Sequence, residues 1–391
     1  MQQLWMAGDS RSVGVDVTLR NARLVLKDGV VEGDLALAGG RIVEAPSAAS
    51  ADLDCQGDYV LPGLIDIHTD NVEHHMQPRP GVRWPSPVAA MLAHDWQLLG
   101  SGITTVLDAL SMGDYDSGGK RSQMLSAAIE AVGSAHAAGL LKVDHYFHFR
   151  CELSDAGLPA LVEQHIDNPL LRLVSMMDHT PGQRQWHDIA LYRAFRRKKN
   201  NNVWSDAEFE VYLAGRLEQQ ARHVGPAREL IGRLATERRL PLASHDDTTV
   251  GDVEEAHRDG ITISEFPTTL AAAQRARDLG LKVVMGAPNL VLGGSHSGNV
   301  GAMPLAEAGL LDVLTSDYVP GSLLHAAFLL AQATGDLPAA ISTVTAIPAA
   351  MLGLVDRGLI EPGRRADLLR VAMVDGLPVI RGAWVAGRRH M

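Results

Sequence analysis

Eight short apolar runs, each followed by an alanine- and leucine-rich amphipathic stretch, constrain this 391-residue chain more than any other feature. They lie at 61–68 (LPGLIDIH), 102–109 (GITTVLDA), 143–151 (VDHYFHFRC), 171–178 (LRLVSMMD), 241–245 (PLASH), 261–266 (ITISEF), 282–287 (KVVMGA) and 312–316 (DVLTS). A near-continuous apolar run of strand length reads as a parallel strand buried on both faces, and alternation with helices predicts repeated βα units. Eight units in roughly 290 residues suit a TIM (β/α)8 barrel, whose chemistry sits at the C-terminal strand ends. Both flanks have a different texture. Short β-like runs (VDVTLRNARLVL, GDLALAGGRIVEA) and turn signals (Lys27-Asp28-Gly29, Gly39-Gly40) precede the barrel, and ADLLRVAM and LPVIRGAWVAG follow Glu361-Pro362-Gly363 after it. This predicts a small β-sandwich domain from 1–60 plus 355–391 around a barrel at 61–354. The first dozen residues read as an untidy extension. The basic run RAFRRKKNNN reads as a solvated loop ahead of a long helical region at about 206–238.

Composition narrows the function classes. A formal net charge of −11 speaks against a general nucleic-acid or anionic-membrane binder, so any anion site must be local. No run of 18 apolar residues and no signal-peptide pattern occurs, so no membrane partner is expected. Two cysteines, Cys55 and Cys151, form no CxxC motif and no disulfide framework, which fits the cytoplasm. Any metal ligands must therefore be histidines and carboxylates.

Such residues gather where the predicted strands end: His68 and Asp70, Arg150-Cys151-Glu152, Asp178-His179, His245-Asp246-Asp247, Glu265, and Ser316-Asp317-Tyr318. One strand-end histidine is usually structural; recurrence along one barrel face points to a divalent-metal site. On an extended strand His68 and Asp70 share a direction. No lysine falls at a strand end, which makes Glu152 the best bridging ligand between two ions, and Asp317 can bind an ion and take a proton from the attacking water. Only one of His74 and His75 is expected to face the site. His145 and His148 favour core roles. For Asp246 and Asp247 a helix N-cap is as good a reading as metal binding. Glu265 is favoured for the site, because an unpaired buried carboxylate is costly. After strand seven, GAPNLVLGGSHSGN puts Asn289, Gly293, Gly294, Ser295, His296, Ser297 and Asn299 where this fold commonly binds phosphate. Arg79, Arg83, Lys120, Arg121 and Arg184 supply cations for an anionic phosphorylated substrate.

PGLIDIH, a strand-five SH, a strand-eight SD and the closing EPGRRADLL resemble the amidohydrolase superfamily across nearly the whole chain. IDIHTDNVEHHMQPRPGVRWP, FHFRCEL, MDHTPGQRQ, ASHDDTT, GAPNLVLGGSHSGN and LTSDYVPGSLL more narrowly resemble the triphosphate-cleaving hydrolases of the bacterial carbon–phosphorus lyase pathway. That resemblance implies His68, Asp70, Glu152, His245 and Asp317 on a pair of divalent ions, with zinc, manganese, iron and magnesium all compatible. His179 would be a further ligand or a substrate contact. It also implies water attack on the α-phosphorus of a ribose 5-triphosphate with release of pyrophosphate; separately, a homo-oligomer, a dimer, is expected. Three departures are visible: Asp70 and Glu265 stand where the superfamily has histidine, and Leu292 where relatives carry an arginine before the paired glycines. Two other readings compete: a C–N hydrolase on the same fold, such as a deacetylase, cyclic amidase or adenine deaminase, and a non-catalytic assembly protein.

Overall fold

The computed structural model describes residues 16–46, 50–114, 120–200, 203–295 and 298–391, with the side chains of 120–123 and 199–200 outside that description. Its strands are β1 (Val17–Leu26), β2 (Gly29–Ala38), β3 (Arg41–Val43), β4 (Ala51–Asp54), β5 (Tyr59–Pro62), β6 (Leu64–Thr69), β7 (Ile103–Met112), β8 (Asp144–Glu152), β9 (Leu171–Met177), β10 (Leu242–His245), β11 (Ile263–Glu265), β12 (Lys282–Gly286), β13 (Val313–Thr315), β14 (Leu368–Val374), β15 (Leu377–Val385) and β16 (Arg388–Arg389). They form two sheets. One is mixed and built from both chain ends, in the order β16-β15-β14-β5-β1-β2-β3 with β4 also on β1. The other holds eight strands in chain order, β6 to β13, with parallel pairing from β8 through β13. Strands joined in sequence order through helices are the topology of the (β/α)8 barrel. Every residue of β6 and β7 is buried, as strands covered on both faces require.

Each of the eight predicted runs overlaps one of these strands, with one correction. The run at 61–68 is not a single strand. Leu61 and Pro62 belong to β5, which pairs with β1 and β14 of the mixed sheet, and β6 starts after Gly63. Glycine is needed at the switch because a Cβ there would run into the Thr104 side chain.

Two compact units carry the described residues: those of Met1–Val106 with Ala128–His145 and Tyr318–Met391, and those of Leu107–Ala127 with Tyr146–Asp317. In the first, Leu19, Leu35, Leu37, Ile42, Val60, Leu368 and Trp384 form the core of the mixed sheet. A buried ion cluster ties the C-terminal segment to the barrel strands of the same unit. Arg357 donates to Asp144 at 2.6 Å and to Thr105 at 3.0 Å, and Arg365 pairs with Asp144 and Asp367.

In the second unit the long helix Asp206–Arg238 is capped by Ser205, which exchanges bonds with Glu208. The basic run ahead of it is not a loop. Its described residues continue the helix Ile189–Asn200, where Arg193 pairs with Asp206 and Arg196 is buried. The N-terminal extension and residues 201 and 202 lie outside the described residues. No described helix is long and apolar enough to cross a membrane.

Candidate metal centre

The strand ends of the second unit converge on one group of side chains. Glu152 closes β8 fully buried, and both its oxygens are engaged. Oε2 lies 2.6 Å from His179 Nδ1; Oε1 accepts the His179 amide N–H at 3.2 Å and the Ser154 hydroxyl at 2.9 Å. His179 follows β9, and its ring centroid is 6.1 Å from that of His245 at the end of β10. His245 Nδ1 lies 3.0 Å from Asp246 Oδ2, and Phe266 packs edge-on against the His245 ring. Ligand atoms of His179, His245 and Asp246 lie within 4.8 Å of one another. Beside them, Glu265 closes β11 fully buried, opposite His245 in the β10–β11 register. Its Oε2 lies 3.7 Å from His148 Nε2, which is 2.5 Å from Ser175 Oγ.

Past three of the strand ends the backbone is left-handed. Asp246, Phe266 and Asp317, each just past a barrel strand, have φ of 59°, 53° and 55°. Left-handed conformations at non-glycine residues cost free energy and cluster at functional sites.

Electrostatics agree with the geometry. Burial alone would raise the Glu152 carboxyl, but the His179 imidazole, its amide and the Ser154 hydroxyl together hold it below the usual range. Burial of Asp246 is likewise outweighed by His245, with smaller help from His179 and Arg150. Two imidazoles with carboxylates suit zinc, manganese or iron. The close Glu152–His179 contact is one that a cation could occupy in place of the shared hydrogen. The donor set therefore fits a divalent ion.

His68 is buried near the end of β6, with its backbone N–H donating to Asp66 Oδ1 at 3.3 Å. Several other predicted residues take different roles. Asp70 has left the strand: with ψ of 14° it leads into the helix Asn71–Met76, so strand alternation does not pair it with His68. On that helix His75 is 2.7 Å from Gln97 while His74 is exposed. His145 sits 3.4 Å from Asp95 in the core. The N-cap reading of Asp246 and Asp247 is overturned, because Thr249 caps the helix Val250–Arg258 in a capping box with Asp252. Asp247 is fully buried and accepts from Arg184, Ser244 and Ser264. Arg184 therefore anchors the strand ends rather than offering a loose charge: burial would lower its pKa, but Asp247 and neighbouring carboxylates raise it.

Arg79 and Arg83 lie on an exposed turn. The Asn289 carboxamide accepts the Ala302 N–H at 2.8 Å, which makes it a loop brace. Gly293 has φ of 75° and the exposed Leu292 flanks it. His296, Ser297 and the side chains of Lys120 and Arg121 lie outside the described residues. The sequence reading missed Ser154 and Arg216, the residues behind Glu152. Only the pattern Glu-x-Ser at a strand end could have hinted at the first.

The chain is 43% identical over 377 residues to the α-D-ribose 1-methylphosphonate 5-triphosphate diphosphatase of Escherichia coli (strain K12), covering 95% of this chain and 99% of that protein. It is 26% identical over 391 residues to an adenine deaminase of Nitratidesulfovibrio vulgaris (strain DP4), spanning 96% of this chain but only 57% of the deaminase. Among solved structures, an amidohydrolase superposes with a TM-score of 0.63 at 16% identity, covering 96% of this chain and 99% of its own. No protein-family model matches.

Proposed function

The chain belongs to the α-D-ribose 1-methylphosphonate 5-triphosphate diphosphatase family on an amidohydrolase fold, and from that premise we propose that it hydrolyses this triphosphate to the 5-phosphate and pyrophosphate. The observation that carries the reading is the Glu152–His179–His245–Asp246 cluster at the strand ends of a chain alike to the diphosphatase over nearly its whole length. His68, Asp70, Glu152, His179, His245 and Asp317 would hold a pair of divalent ions, and Asp246 and Glu265 border them. Bound there, the ions supply Lewis acidity and an acidified water.

The chain's own residues do the rest. The Asp317 carboxylate accepts the proton of the attacking water. Arg79 and Arg83 pair with phosphate oxygens from their exposed turn, and the loop of Gly293, Gly294 and Ser295, with Asn299, borders the departing pyrophosphate, the Gly293 and Gly294 N–H groups themselves donating to the Leu290 and Asn289 carbonyl oxygens. Lys120, Arg121, His296 and Ser297 belong to the same proposal. Of the predicted contacts, Arg184 and Asn289 serve as braces. We assign the protein to the cytoplasm, in keeping with its two free, buried cysteines, and to a homodimer.

The test uses enzyme reloaded with zinc or manganese. It compares pyrophosphate release from the ribose triphosphate and from ATP with ammonia release from adenine, the substrate named by the more distant relatives. Fast pyrophosphate release from the ribose triphosphate supports the reading. Ammonia release without pyrophosphate refutes it in favour of a C–N hydrolase, and no turnover of any substrate favours the assembly-protein alternative.

A further inference from the structure

The helix Asp206–Arg238 has 33 residues, against about three to four turns for an ordinary helix. Pro226 divides it. Around and beyond the proline, Val224, Ala227, Ile231, Leu234 and Ala235 form the apolar stripe that a barrel helix needs. The half before the proline buries Phe209 and, unexpectedly, Arg216, which is only 9% exposed. A buried guanidinium is costly unless its donors find acceptors. Arg216 Nη2 donates to Ser154 Oγ at 3.1 Å and Nη1 to Gln219 Oε1 at 2.9 Å. Ser154 Oγ in turn donates to Glu152 Oε1 at 2.9 Å.

From this chain of contacts we propose that Arg216, acting through Ser154, is a positioning residue for the Glu152 carboxylate; the proposal rests on the ligand role of Glu152 given above. The argument is one of donor count. A guanidinium only donates, so the Ser154 oxygen must accept from it, and the one hydroxyl proton is committed to Glu152. With Oε1 held by that proton and by the His179 amide, Oε2 is the oxygen left to face His179 Nδ1 and a cation. Supporting groups of this kind orient metal ligands and set affinity. The extended first half of the helix thus has a task that barrel packing does not give it.

The experiment measures zinc affinity by competition with a chromogenic chelator, without substrate, for Arg216→Met, Arg216→Lys, Ser154→Ala and Glu152→Gln. Apo-protein melting and near-UV circular dichroism report the fold. Arg216→Met and Ser154→Ala should each weaken zinc binding about 10- to 100-fold. Arg216→Lys, which also only donates, should recover part of the loss, and Arg216→Met combined with Ser154→Ala should be no worse than Ser154→Ala alone. A purely structural arginine would lower melting and leave zinc affinity alone, which overturns the proposal. If Arg216→Met does not fold, Ser154→Ala decides by the same measurement. Wild-type affinity in Arg216→Met and Ser154→Ala with loss in Glu152→Gln removes the positioning role and keeps the ligand. Wild-type affinity in Glu152→Gln removes both.

Discussion

Replacing Asp247 by asparagine tests how the strand ends are held. Asp247 is fully buried and faces Arg184, itself almost entirely buried, while the Ser244 and Ser264 hydroxyls also point at its carboxylate. Asparagine keeps an acceptor for the hydroxyls but leaves the guanidinium without its buried counter-charge. Breaking a buried pair by removing one partner costs about 3–5 kcal/mol. The remaining Arg184–Glu255 contact is 3.4 Å long to a carboxylate 44% exposed, so screening lets it offset little. At about 2 °C per kcal/mol for a large domain, the melting temperature should fall by roughly 6–10 °C. Scanning calorimetry and urea unfolding of metal-free protein measure this without the contribution of bound ions. Removing both charges, as in Arg184→Met with Asp247→Leu, should recover much of the loss, because no lone charge remains buried. A drop below about 1 kcal/mol in Asp247→Asn, with the double variant no better, would refute the reasoning. Since Asp247 lies next to Asp246 and two residues from His245, the single variant should also bind zinc more weakly.

Other expectations are brief. Asp317→Asn should abolish pyrophosphate release and leave the melting curve unchanged; near-normal turnover would remove its proton-accepting role. Arg83→Ala should raise KM for the triphosphate with little effect on zinc affinity, and an unchanged KM would assign the anion to other cations. Gly63→Ala should cost about 1–3 kcal/mol from overpacking against Thr104, and adding Thr104→Ala should restore part of it in urea unfolding. In metal-free protein Glu152 and Asp246 titrate below their ordinary values, 4.5 and 3.8. Depressed folded pKa values mean stability that is present above the unfolded values and lost as pH falls through the folded ones. Unfolding free energies should therefore decline below about pH 4.5, and Glu152→Gln with Asp246→Asn should flatten that decline.

Most of the barrel was legible because a strand buried on both faces has to be written almost entirely in apolar residues, as β12 is from Val283 to Gly286. Where two strands followed without a polar break, as at Leu61 to Ile67, pattern alone could not find the join. The steric contact of Gly63 with Thr104 decides it, and those residues are far apart in sequence. The basic run was misread because exposed charge is common to loops and to the outer face of helices, and here Arg193 is held by Asp206 on the next helix.

The same division runs through the metal centre. Residue type and strand-end position, both local properties, were enough to nominate Glu152, His179, His245 and Asp317. Which carboxylate serves as a cap, a brace or a candidate ligand was not local. Asp246 and Asp247 are identical in type and adjacent, yet a left-handed turn sends one to His245 while Arg184 takes the other. Likewise Arg216 looked like any charged helix residue until packing buried it behind Ser154. The sequence alone determined the order of strands and the chemical kind of site, because burial and valence are written residue by residue. Tertiary structure decided the partners, because a hydrogen bond or ion pair depends on positions that only the folded backbone brings within about 3 Å.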